Sequence, residues 1–141
     1  MNEQFTTTRR VQFNETDMAG IVHFVNFYLY MEQTEHEFFR WLGLKTIDRQ
    51  QDGSVISWPR VSASCSFDAP AYYDDLLEAR LAVQRKGVKS LTFQIEFWRD
   101  ETQIAHGRLK TVCCLFRPGE PMKSIEIPPE YAAKIDEFAT T

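Results

Sequence analysis

Phe24-Val25-Asn26-Phe27-Tyr28-Leu29-Tyr30-Met31-Glu32-Gln33-Thr34-Glu35-His36-Glu37-Phe38-Phe39-Arg40-Trp41-Leu42-Gly43 is the stretch on which the architecture turns. Phe24, Tyr28, Met31, Phe38 and Leu42 recur at spacings of three, four or seven, while Asn26, Gln33, His36, Glu37 and Arg40 fall on other faces. That is the period of an amphipathic helix. Asn26 reads as its N-cap, and Gly43 stops it with Arg40 in the last turn. Glu35 falls inside the apolar stripe, as a helix-edge residue or a partner in a buried polar contact.

On either side of this helix the pattern changes. Ahead of it, Phe5 to Phe13 has the Thr-rich β-propensity of a first strand, and Asn14 to Gly20 is a polar loop. Behind it the period drops to two. Val61, Ala63, Cys65, Phe67 and Ala69 alternate with Arg60, Ser62, Ser64, Ser66 and Asp68, a half-buried strand. Leu77 to Val83 and Leu91 to Phe97 alternate likewise, joined by a hairpin turn at Gly87. Asp100-Glu101 marks another turn, and Ile104 to Phe116 reads as the last strand. Four prolines break up the tail, and Glu130 to Phe138 forms a short closing helix with Pro129 near its start.

Ten strand residues span about 33 Å and a helix of about 17 residues spans about 26 Å, so such strands can run the helix's length. The order predicts an α+β fold: a curved antiparallel sheet wrapped around one long central helix, in a single domain over residues 1–141. The sheet's unpaired edge is expected to pair with a second copy, giving a homodimer or homotetramer.

Composition narrows the function classes. Hydrophobic residues are 43% of the 141, with 11 Phe, enough to build a core. The net charge of -4 argues against duplex nucleic acid as a partner, because phosphate neutralisation needs a clustered cationic surface. The start Met1-Asn2-Glu3-Gln4 has neither a basic stretch nor an apolar run behind it, and no apolar run is long enough to span a bilayer. A cytoplasmic protein without a membrane partner is expected. Cys65, Cys113 and Cys114 lack disulfide or zinc spacing and read as buried reduced thiols. His23, His36 and His106 are too scattered to make a metal site.

The segment Phe13-Asn14-Glu15-Thr16-Asp17-Met18-Ala19-Gly20-Ile21-Val22-His23-Phe24, followed by Asn26, Tyr28 and Glu32, resembles the 4-hydroxybenzoyl-CoA thioesterase family of the hotdog superfamily. The resemblance runs from Phe5 to about Phe116 and is strongest at Asp-x-x-Gly-x-Val. It implies a hotdog fold and acyl-CoA hydrolysis. It also implies that Asp17 is the catalytic carboxylate and that a backbone N–H near His23-Phe24 polarises the thioester carbonyl. No cofactor is then required beyond the coenzyme A of the substrate.

The chemistry of the residues agrees. An aspartate, ordinarily ionised at neutral pH, can attack the acyl carbon or activate water. A helix start offers unpaired N–H groups and a positive dipole end to the developing oxyanion. Gly20 lets the backbone pass close to a substrate. Asp17 equally suits a turn or cap with no catalytic duty, and His23 a loop–helix junction satisfied by the backbone. Tyr28, Glu32, Trp58, Arg60, Lys89 and Ser90 are candidate substrate contacts. For Tyr28 the rival role is core, for Glu32 a structural partner of an Arg. Arg85 and Lys86 read as a solvated hairpin tip. Alternative activities on the same fold are dehydration or hydration of an acyl thioester by Asp17 and His23, or acyl-CoA binding without turnover. A cone-shaped isomerase fold would begin with more helices than this sequence has.

Overall fold

The computed structural model describes residues 3–140, so Met1 and Asn2 of the start, and Thr141, lie outside the described residues. In chain order the elements are β1 (Phe5–Arg10), a 3-10 turn (Phe13–Glu15), α1 (Val25–Trp41), β2 (Ile47–Arg49), β3 (Val55–Ser57), β4 (Arg60–Phe67), β5 (Leu76–Lys86), β6 (Ser90–Arg99), β7 (Thr102–Val112), β8 (Cys114–Phe116), β9 (Lys123–Ser124) and α2 (Pro129–Thr140). The main sheet is antiparallel in the order β1-β5-β6-β7-β4, and a smaller one runs β2-β3-β8-β9. The α+β class is as expected.

The helix lies where its period puts it, but its buried face is shifted. Phe27, Tyr30, Met31, Thr34, Glu35, Phe38 and Phe39 are buried, whereas Phe24 is 54% exposed. Phe27 meets Phe97 of β6 at 5.7 Å between ring centroids, and Phe38 meets Phe93 at 5.7 Å. A Cβ on Gly107 of β7 would stand 2.6 Å from Met31 Sδ, so only glycine lets α1 approach the sheet this closely. Asn26 is not the N-cap. Phe24 occupies that position without a side-chain cap, and Asn26 sits inside the first turn. At the other end Gly43 and Leu44 return their N–H groups to Arg40 and Phe39 carbonyls, the predicted stop.

Several strand expectations need correction. β1 ends at Arg10, where Val11 turns to pair with the 74–75 segment. β4 pairs with β7 and lies at the edge, so it is largely exposed instead of half-buried. The long last strand breaks at Cys113, after which β8 joins the smaller sheet. That sheet's short strands carry too few residues for a readable period. α2 closes the far end, with Phe138 packed on Phe38 at 4.9 Å and Tyr131 beside Trp58 at 5.9 Å. Among the described residues no helix is long and apolar enough to cross a membrane.

Candidate active site

The polar loop ahead of α1 is a small hairpin. Thr16 bridges Val22, Asp17 N–H donates to Ile21 O at 2.9 Å, and Gly20 N–H donates to Asp17 O at 2.9 Å. Gly20 takes φ +83°, the left-handed residue that closes a turn of this kind. Within the turn Asp17 Oδ1 accepts from Ala19 N–H at 2.8 Å. The turn role foreseen for Asp17 is therefore real, but it uses one oxygen. Oδ2 has no partner among the described residues, and the side chain is exposed.

The loop is fixed on both sides. Val22 N–H donates to Ala71 O at 2.8 Å and Ile21 bridges Tyr72, which lays it on the segment after β4. On the helix side Glu15 is the hub. Its carbonyl accepts from His23 N–H at 2.9 Å and from the Asn26 side-chain amide at 2.8 Å. Its Oε1 accepts from Gln12 N–H and from Tyr30 Oη–H, both at 2.7 Å. Burial first, and then the Glu15 carboxylate, push the Tyr30 hydroxyl far above the ordinary phenol range.

At the start of α1, Val25 N–H makes a long contact of 3.4 Å to His23 Nδ1, and Asn26 and Phe27 N–H turn back to His23 and Phe24 carbonyls. Phe24 N–H has no partner among the described residues. His23 stacks on Phe24 at 4.9 Å. A cleft of about 560 Å³ opens here, with Asp17, Phe24, Phe27, Phe67 and Asp68 in its wall. Phe67 lies 6.1 Å from Phe24 and 5.6 Å from Phe27 between centroids, so three rings face the space beside the carboxylate. Asp68, which the sequence reading placed only on a strand face, also accepts from or pairs with His106 at 2.9 Å.

The other predicted site residues do not join this cleft within one chain. Arg60, assigned by alternation to the outer face of β4, turns instead to α1. The β4–β7 register shifts between Arg60 and Ser62, and such a bulge re-aims the side chain beyond it. Arg60 bonds the buried Glu35, approaches Glu32 at 3.5 Å and meets His36 Nε2 at 3.0 Å. Burial raises Glu35 to about 7 against the opposing pull of Arg60. Burial, and then Arg60, lower His36, which is half-buried. Trp58 is buried beside this cluster, and Tyr28 is half-buried against the core. Lys89 and Ser90 stand at the opposite end of β6 from Phe97, about 23 Å away along the strand. Lys86 is tied to Asp136 at 3.2 Å.

Sequence reasoning missed Glu15 and Tyr30. The apolar stripe read from the sequence ran through Tyr28 and not Tyr30, so the need of the Tyr30 hydroxyl for a buried partner was not visible. Among the described residues no three His, Cys, Asp or Glu side chains group as metal ligands. Burial pushes the Cys65 thiol up to about 11 and Cys113 up to about 12, which leaves them unreactive.

The sequence model of the Thioesterase superfamily matches residues 19–106, beginning two residues after Asp17. A protein of Aquifex aeolicus (strain VF5) named "Putative esterase" is 31% identical over 126 residues, 89% of this chain and 93% of that one. The 4-hydroxybenzoyl-CoA thioesterase of Pseudomonas sp. (strain CBS-3) is 25% identical over 136 residues, 93% of this chain and 96% of that one. Among solved structures, a gentisyl-coenzyme A thioesterase superposes with a TM-score of 0.79 at 29% identity, covering 93% of this chain and 99% of the other.

Proposed function

The chain belongs to the thioesterase superfamily, and from that membership we propose that it hydrolyses acyl-CoA thioesters, aromatic ones foremost, to the free acid and coenzyme A. Its fold is the α+β hotdog, an antiparallel sheet with two helices. In the finer reading the sheet curves around α1 as the one central helix, supported by the contacts of α1 with β1, β4, β5 and β7. One domain spans residues 1–141 and acts in the cytoplasm, with no metal and no cofactor beyond the coenzyme A of its substrate.

The observation that carries the proposal is the meeting, at one cleft, of a carboxylate oxygen without a partner on Asp17 and an unpaired N–H on Phe24. Phe24 N–H, at the positive end of α1, donates to the thioester oxygen as it becomes an oxyanion. Asp17 attacks the acyl carbon or takes the proton of an attacking water. Attack by Asp17 breaks the C–S bond and forms a mixed anhydride that water then cleaves, regenerating the carboxylate. With Asp17 as base, water adds to the acyl carbon directly as the C–S bond breaks, and in both routes the leaving thiolate acquires a proton. His23 shapes the donor by holding Val25 N–H, and Gly20 closes the turn that presents Asp17. The rings of Phe24, Phe27 and Phe67 favour an aromatic acyl group. Hydration by an Asp17–His23 pair has less support, because His23 is absent from the cleft wall.

Two copies pair along the open edge of β4, where Val61 and Phe67 are 59% and 49% exposed. Of the remaining candidates, Tyr28, Lys89 and Ser90 are the substrate contacts proposed for the other copy across this edge, whereas Trp58, Glu32 and Arg60 are engaged within their own chain. Thiol release from a panel of benzoyl-, hydroxybenzoyl-, naphthoyl- and aliphatic acyl-CoAs tests the activity. Turnover by wild type and its loss in Asp17→Asn is the expected result; full activity in that variant rejects the role of Asp17. Light scattering that finds only a single-chain mass rejects the pairing.

A further inference from the structure

Among the described residues the Asp17 side chain has one hydrogen bond, accepted from Ala19 N–H two residues away. A catalytic carboxylate must nevertheless hold its place against the donor across the cleft, because a displacement of about 1 Å can cost about a hundredfold in rate. What ties its hairpin to α1 is not the turn itself. Two hydrogen bonds reach the carbonyl of Glu15, from His23 N–H at 2.9 Å and Asn26 Nδ2 at 2.8 Å, and both come from the donor end of the helix. The Glu15 carboxylate is anchored separately, by Tyr30 Oη–H at 2.7 Å. Tyr30 is 1% exposed and wedged between Phe27 at 5.6 Å and Phe97 at 6.0 Å, so its hydroxyl is a fixed point of the core.

We propose that Glu15, Asn26 and Tyr30 are positioning residues of the active site, a hydrogen-bonded brace that sets the Asp17 hairpin at a fixed distance from Phe24 N–H. The brace rests on the thioesterase reading above. It works through geometry alone: Glu15 carries the loop, Asn26 clamps its backbone to the first helical turn, and Tyr30 refers both to the core. Glu15 precedes Asp17 by two residues, so rotation of one peptide unit at Glu15 is passed directly to the Asp17 side chain. None of the three lines the cleft, which separates them from groups that touch substrate.

Tyr30→Phe removes the hydroxyl and keeps the ring. Glu15→Ala removes the acceptor, while Glu15→Gln keeps an oxygen able to accept both bonds. The expected result is a loss of about tenfold to a hundredfold in kcat at nearly constant KM for Tyr30→Phe and Glu15→Ala. Glu15→Gln should restore kcat to within about threefold of wild type, since position and not charge is at stake. The double variant Tyr30→Phe, Glu15→Ala should lose no more than Glu15→Ala alone, because the Tyr30–Glu15 contact is shared and Glu15→Ala already breaks it. Amide hydrogen exchange provides the second arm. Ala19, Gly20 and His23 should exchange faster in both variants while β6 and β7 stay protected.

Unchanged kcat in Tyr30→Phe and Glu15→Ala overturns the proposal even if thermal stability falls, as does equal damage by Glu15→Gln and Glu15→Ala. Unaltered exchange at residues 17–23 overturns it too. If wild type releases no thiol from any thioester, the functional reading fails on its own account, and the exchange arm alone decides whether the brace holds the loop.

Discussion

In the loop ahead of α1 Asp17 keeps one carboxylate oxygen without a partner among the described residues, in a cleft that Phe24 also lines, whereas Glu35, about 16 Å along the helix axis from Phe24, is fully buried and bonded to Arg60. Both acids stand at the seam between α1 and β4, and both face a cavity, of about 560 Å³ and 250 Å³ respectively. The difference lies in what the backbone does around them. Around Asp17 a hairpin and a helix start leave polar groups unspent. Around Glu35 the helix is continuous, so no N–H is free, and the charge must be met by a side chain from the opposite strand. The β4 bulge supplies that side chain by turning Arg60 inward. An exposed acid with room beside it can react; a buried acid with a partner locks the strand to the helix.

Removing the charge at each acid tests this contrast, and the largest effect belongs to the open one. Asp17→Asn should lower kcat by about 10³-fold, within the range expected for removal of a catalytic base or nucleophile, with little change in melting temperature. A melting shift as large as a core substitution would mean that the hairpin, not the chemistry, needs the carboxylate. At the closed end Arg60→Ala should cost stability first. Glu35 would be left as a buried unpaired acid, a loss of about 3 kcal/mol by urea denaturation above neutral pH. Below pH 6 the loss should shrink, because a neutral Glu35 no longer needs the cation.

The proton on Glu35 gives the next effect its sign. Unfolded, the carboxyl titrates near 4.5; folded, burial raises it to about 7. Between these values the folded chain holds a proton that the unfolded chain has lost, so this group's contribution to stability falls as pH rises and levels off above about 7. The full fall amounts to about 3.5 kcal/mol. Glu35→Gln should remove this slope from the stability profile between pH 4.5 and 7. Equal slopes in wild type and variant would show that Arg60 holds the carboxylate ionised throughout.

The ease of reading these two regions from sequence was unequal for a physical reason. Asp17, Gly20 and Phe24 sit in one short segment that the family resemblance singled out, while the residue pattern alone suited a turn as well, and a turn is what Asp17 also makes. The α1 period was equally plain, as were the hairpin strands β5 and β6. Arg60 was misplaced because a bulge changes the side of a strand without altering the alternation seen in sequence. Asn26 was misread as a cap because an amide at the helix start serves a neighbouring loop as readily as its own helix. The short strands β2, β3 and β9 escaped because two or three residues carry no period, and β8 was read as the end of the strand from Ile104 because the break at Cys113 leaves no mark in the alternation. β4 was assigned a half-buried face, yet its place at the edge depends on pairing with β7, which lies some forty residues away.

The smallest effect concerns the turn that presents Asp17, and it separates two reasons for a glycine there. Gly20 has φ +83°, and a Cβ added to it would meet nothing within 4 Å. If backbone conformation alone demands glycine, Gly20→Ala should cost about 1 kcal/mol and Gly20→Asn clearly less, since asparagine tolerates the left-handed region. Both variants would then show KM close to wild type. If a substrate passes over Gly20, the larger Asn side chain should do more harm to KM than Ala, the reverse order. Melting temperature and KM measured together on the two variants therefore assign Gly20 either to the frame that aims Asp17 or to the path by which the thioester reaches it.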